Sequence, residues 1–171
     1  MRIQEDTKNT LRELAEAQRR TEERLGKVEA RLDRLEENQK KIREQLGGLA
    51  HTVGYSLEDK AYKGLPGLIN KDFGIEVKEL RRDYVKLPSG RYEEVNIIGE
   101  GWKDGSRVWI IGECKTQLKR RDVDSFLRKV VRIGKVMEGE KLLVMVAYQA
   151  TPQVRDYVKS KGIALYFSYQ F

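Results

Sequence analysis

The sequence predicts an α/β domain with a mixed central β-sheet flanked by helices, preceded by a long N-terminal coiled-coil helix. Three observations carry that expectation: a heptad pattern that runs to residue 49, a succession of three strand-like segments joined by turn residues, and strand-helix-strand alternation after them. The boundaries that follow are 1–49 for the oligomerisation helix and 50–171 for the globular domain.

The heptads come first. Leu11, Gln18, Leu25, Leu32, Gln39 and Leu46 fall at a, and Leu14, Thr21, Val28, Leu35, Ile42 and Leu49 at d, so nine of twelve seam positions are apolar. So narrow a stripe needs partner helices to leave water. Arg24 with Glu29, and Arg31 with Glu36, occupy g and following e positions, where a parallel partner brings opposite charges together. Homo-oligomerisation through a parallel coiled coil is expected, with a dimer favoured, although Leu at both a and d does not separate two strands from four. A solvated single helix or a helical hairpin folded back on the domain is the alternative. Gly47 and Gly48 are expected to end the pattern and to offer a hinge.

Residues 50–70 read as a helix with Gly54, Glu58, Ala61, Leu65 and Leu68 on one stripe, and Gly64 and Pro66 are expected to kink or split it. Strands follow at about 75–86, 92–98 and 107–115. Pro88-Ser89-Gly90 and Lys103-Asp104-Gly105-Ser106 supply the turns of an antiparallel meander. A helix at 119–137, a compact apolar strand at 141–148, a short helix at 152–161 and a last strand at 163–168 complete the order α-β-β-β-α-β-α-β.

Composition narrows the function classes. Lys and Arg outnumber Asp and Glu by 34 to 27, and the excess lies in residues 50–171, at 22 against 16. A basic domain attracts polyanions in a salt-dependent way. The single cysteine, Cys114, excludes an intrachain disulfide, and neither an apolar run of membrane-spanning length nor a signal-peptide pattern is present, so a cytoplasmic protein is expected. No Walker loop or dinucleotide fingerprint occurs. His51, the one histidine, has no second histidine or cysteine near it to make a zinc site and reads as structural or exposed.

The chemistry gathers on two strands. In Val108-Trp109-Ile110-Ile111-Gly112-Glu113-Cys114-Lys115, Glu113 and Lys115 share a face and emerge where an apolar, central strand leaves the core, while Cys114 points the other way. Glu94 and Asn96 share a face of the preceding strand, and Glu58 lies on the core side of the first helix. Taken alone, a Glu-x-Lys pair on a strand is commonly a surface ion pair.

The segments "GYSLEDKAY", "EEVNIIGEG" and "IIGECKTQL" together make residues 51–171 resemble the PD-(D/E)XK nuclease superfamily, in a form known from uncharacterised prokaryotic proteins whose nuclease-like domain follows a coiled coil. The resemblance implies a restriction-endonuclease-like fold and a metal-dependent hydrolase of phosphodiester bonds in DNA or RNA, with DNA the preferred partner. It makes Glu58 the helix acid, Glu113 the strand acid and Lys115 the catalytic lysine. Asn96 stands where the metal-binding aspartate usually does. The implied cofactor is one or two Mg²⁺ or Mn²⁺ ions on Glu58, Asn96 and Glu113. An amide oxygen can serve Mg²⁺ but adds no charge, which motivates the alternative of a catalytically inactive nuclease fold that binds nucleic acid or serves as an interaction module. Lys119, Arg120 and Arg121, directly after the motif, are the expected phosphate contacts, and Arg128, Lys129 and Arg132 continue along the next helix.

Overall fold

The computed structural model describes residues 2–171, except for the side chains of residues 2–5, 8, 50 and 51; the reading of His51 lies outside the described residues. The elements are α1 (Arg2–Phe73), β1 (Glu76–Lys86), β2 (Tyr92–Lys103), β3 (Ser106–Leu118), α2 (Arg120–Ile133), β4 (Glu140–Ala150), α3 (Pro152–Ser160) and β5 (Ala164–Phe167), with a closing 3₁₀ turn at Ser168–Gln170. The chain divides into two units, Met1–Leu49 and Ala50–Phe171.

In the first unit the seam positions from Leu11 to Leu49 are all exposed, as a two-per-heptad stripe must be on one helix. Ion pairs one turn apart, Arg19–Glu23 at 3.7 Å and Lys41–Glu37 at 2.8 Å, support the solvated faces. Gly47 and Gly48 are helical, which corrects the expectation that they end the pattern: two glycines cost only about 2 kcal/mol in a helix interior.

The second unit is built on a five-stranded sheet in the order β1-β2-β3-β4-β5. β1, β2 and β3 pair antiparallel, and β3, β4 and β5 pair parallel through the α2 and α3 crossovers. Val144, Met145, Val146 and Ala147 of β4 are fully buried, as expected for a parallel strand covered on both faces. On one face Val123, Phe126 and Ile133 of α2 and Val158 of α3 pack over Val95, Ile98, Ile111 and Met145. On the other, Leu57, Ala61, Leu65 and Ile69 of α1 pack over Leu80, Ile97, Ile110 and Val146.

The helix does not split at Gly64 and Pro66, a second correction. Interior proline costs about 3 kcal/mol. Burying Leu57, Leu65 and Ile69 completely gains about 1.5–3 kcal/mol apiece, enough to hold the turn in place. Gly64 marks a close approach: a Cβ there would stand 2.6 Å from the Phe171 ring, which packs against the helix at that point.

Candidate functional site

A V-shaped opening in the sheet positions the site. The last pair in the β2–β3 ladder is Ile97 with Gly112, whereas β3 stays paired with β4 as far as Leu118 and Ala150. Beyond Ile97 the hairpin of β1 and β2 therefore parts from β3. The Cys114 N–H, released from the ladder, donates to Asn96 Oδ1 at 3.3 Å. Asn96 thus closes the backbone at the fork with its side chain, a bond a carboxylate could also make.

β2 also carries a bulge here. Its register against β1 shifts between the pairs Arg81–Ile98 and Asp83–Val95, so that two β2 residues oppose Arg82. Val95 and Ile98 consequently share one core while Ile97 belongs to the other, against strict alternation. Bulges of this kind re-aim side chains beside sites.

Glu58, Asn96, Glu113 and Lys115 line one cavity of about 380 Å³, together with Tyr55, Arg82, Glu94, Cys114, Thr116 and Lys129. Glu113 extends the row of Trp109 and Ile111 on the α2 side, and Glu58 descends from α1 on the other side. The fork between β2 and β3 lets both reach the same space. A larger cavity of about 560 Å³ lies along the opposite face of β1, lined by Arg81, Asp83, Trp109, Val136 and Met137, and contains none of the predicted site residues. The convergence of acids and cations makes the smaller cavity the candidate site.

Each acid in it meets a cation of the chain itself. Glu58 Oε2 accepts from Arg82 Nε at 2.9 Å and from Arg82 Nη2, and Arg82 Nη1 reaches Glu94 Oε1 at 3.4 Å. The Arg82 guanidinium also lies 4.3 Å over the Tyr55 ring. Burial opposes its charge, but the bonds to Glu58 and Tyr55 and the charge of Glu94 outweigh burial and hold its pKa above the ordinary range. Glu113 Oε1 lies 3.1 Å from Lys115 Nζ, and Oε2 lies 2.8 Å from Lys129 Nζ, which also donates to the Glu94 carbonyl at 2.7 Å. Three carboxylates face three cations.

The Tyr62 hydroxyl is 2.8 Å from the Asn96 carbonyl and 3.1 Å from Glu58 Oε2, and its single proton serves one at a time. Burial, followed by the charge of Glu58, raises the Tyr62 pKa, so the ring stays neutral. Cys114 is buried in the core on the α1 side, and burial, then the charges of Glu58 and Glu113, push its thiol pKa up. A buried thiol with a raised pKa is a poor nucleophile.

Lys119, Arg120 and Arg121 are exposed at the start of α2 and do not line the cavity. The Arg120 guanidinium lies 4.3 Å over the Tyr157 ring. Asp122 accepts from the Lys119 N–H at 2.9 Å and caps the helix. Arg132 pairs with Glu93 at 2.8 Å. Arg82 was not foreseen as a site residue, although alternation could have placed it: it lies two residues beyond the buried Leu80, on the face toward α1.

A divalent ion prefers hard oxygen donors, and Glu58, Glu113 and the Asn96 amide are of that kind. Among the described residues no three His, Cys, Asp or Glu side chains are gathered closely enough to hold a metal ion. The cavity offers three carboxylates, Glu58, Glu94 and Glu113, and the Asn96 amide. They fit Mg²⁺ or Mn²⁺ in donor chemistry, with their charge already matched by Arg82, Lys115 and Lys129.

No family model matches the chain, and no curated protein matches it. Three solved structures are similar to part of it. A protein of unknown function is 16% identical over 63% of this chain and 58% of its own, with a TM-score of 0.41. A repair endonuclease from Pyrococcus abyssi is 18% identical over 60% of this chain and 44% of its own, with a TM-score of 0.37. The MspJI restriction endonuclease, in complex with a 27-mer oligonucleotide, is 13% identical over 72% of this chain and 27% of its own, with a TM-score of 0.40. The chain spans less than two thirds of each of them.

Proposed function

We propose that the protein is a divalent-metal-dependent nuclease of the PD-(D/E)XK type, acting on DNA ahead of RNA and assembled into a dimer by a parallel coiled coil of residues 1–49. The observation that carries this reading is the meeting of Glu58, Asn96, Glu113 and Lys115, from a helix and two strands, around one cavity. Glu58, Glu113 and the Asn96 amide oxygen would hold Mg²⁺ or Mn²⁺, which supplies Lewis acidity toward a phosphate and lowers the pKa of a bound water. Lys115, at the more open side of the cavity, neutralises charge developing on the phosphate. Tyr62 orients Glu58 from within α1. Lys119, Arg120 and Arg121 supply phosphate contacts outside the cavity, and dimerisation presents two sites to one nucleic acid, adding avidity to weak single-site binding.

The matched charges of the site favour a second reading, a nuclease fold that binds nucleic acid without cutting it. Labelled single- and double-stranded DNA and RNA, incubated with the protein in Mg²⁺, in Mn²⁺ and in chelator, separate the two. Cleavage that needs metal and disappears in Glu113→Ala and in Lys115→Ala is expected. Salt-sensitive binding with no cleavage in either metal would establish the second reading instead. Sedimentation equilibrium tests the assembly: wild type runs as a dimer and Leu32→Lys as a monomer, and equal masses would sink the coiled coil.

A further inference from the structure

The site's own cations sit where its charge would otherwise accumulate. Arg82 reaches both Glu58 and Glu94, and Lys129 and Lys115 divide the two oxygens of Glu113 between them. Glu58 and Glu113 are both buried, at 6% and 8% exposure, so an unpaired charge on either would be costly. Arg82 is braced further by the Tyr55 ring, and Lys129 by the Glu94 carbonyl.

We propose that Arg82 and Lys129 are exchangeable counter-ions of the cavity: a divalent cation and these two side chains compete for Glu58 and Glu113, so metal binding releases a guanidinium and an ammonium into the cavity. Once released, the two cations face the same space as the incoming phosphate, which gives them a binding role that neither has in the closed arrangement. Asn96 suits this exchange. It holds the Cys114 N–H without adding a fourth negative charge, which three cations could not match. The inference rests on the metal-site reading above and assigns two residues to it that the sequence motif does not contain.

The size of the effect follows from how strongly a neighbouring opposite charge biases a carboxylate. The metal must displace the cation that each carboxylate already holds, and coupling between close opposite charges corresponds to about tenfold or more in affinity. Arg82→Met and Lys129→Met should therefore each tighten Mn²⁺ binding by about tenfold or more in isothermal calorimetry. Lys129→Met leaves Glu113 paired with Lys115 and so keeps the fold if Arg82→Met does not. In wild type, Mn²⁺ is replaced by diamagnetic Mg²⁺ and the Arg82 Nε–H is followed by ¹⁵N NMR. A slowly exchanging resonance, held by Glu58, should become fast-exchanging as the metal is added. Tighter binding in the variants together with loss of that protection supports the exchange. Metal binding of unchanged or reduced affinity in the variants overturns it and leaves the metal site standing. No metal binding in wild type or either variant removes the metal site and the exchange with it.

Discussion

Replacing Glu113 with glutamine tests whether the cavity is a cluster of repelling acids or a set of matched charges. In a cluster, removing one negative charge relieves repulsion and stabilises the fold. With matched charges, it strands the cations. Lys129, whose side chain is 17% exposed, would keep the Glu94 carbonyl, at 2.7 Å, and lose its charged partner. A hydrogen bond to a charged group contributes about 1.5–3 kcal/mol. The Lys115 pair is worth less than about 1 kcal/mol, because that side chain is 38% exposed and screened by water. The expected loss is about 3 kcal/mol, or a fall in Tm of about 10 °C for a unit of this size. Urea denaturation followed by fluorescence of Trp102 and Trp109, both in the folded unit, reads the change at constant m. In the double variant with Lys129→Met, much of the loss should return, because the stranded cation is gone. A Glu113→Gln protein as stable as wild type, or more so, would refute the matched-charge account.

Three further outcomes follow from other parts of the structure. Gly99→Ala should destabilise by about 3 kcal/mol or more, since a Cβ there would stand 2.0 Å from the Glu79 carbonyl oxygen and the backbone of β1 cannot yield; a Tm within two degrees of wild type would contradict that geometry. The raised pKa of the Cys114 thiol and its burial predict slow reaction with a disulfide reagent at pH 8 in the native state and rapid reaction in urea, and a native rate matching that of free cysteine would count against its placement. Glu93 is held below the usual carboxylate range, first by its bonds from Arg132. Because its folded pKa is the lower one, its contribution is complete above the unfolded value of about 4.3 and fades as pH falls through the folded value. The stability gap between wild type and Glu93→Gln should accordingly narrow from pH 7 to pH 3 in denaturant titrations, and a gap that widens would reverse the assignment.

The strands and helices of the second unit were legible because each follows a local rule: alternation in β1 to β3, an apolar run in β4, a 3-4 stripe in α2, and glycine-bearing turns between β1, β2 and β3. The course of α1 was not, because local chemistry speaks against it. Gly64 and Pro66 read as breakers until the burial of Leu57, Leu65 and Ile69 and the seat of Phe171 against Gly64 are known, and those are contacts between residues far apart in the chain. The cavity was legible to the same depth. Alternation brings Glu113 and Lys115 to one face of β3, and helical spacing turns Glu58 inward, since both are properties of single elements. What closes the cavity is shared between elements. Arg82 meets Glu58 across β1 and α1, Lys129 meets Glu113 across α2 and β3, and the Asn96 side chain meets the Cys114 N–H only because β2 and β3 separate there. The motif names the acids and one lysine and leaves out Arg82 and Lys129, because a long, flexible cation can reach a carboxylate from many positions in the chain. The charge balance of this cavity therefore turns on the partners as much as on the motif, and under the proposed metal-site reading how firmly Arg82 and Lys129 hold Glu58 and Glu113 sets what a metal must displace.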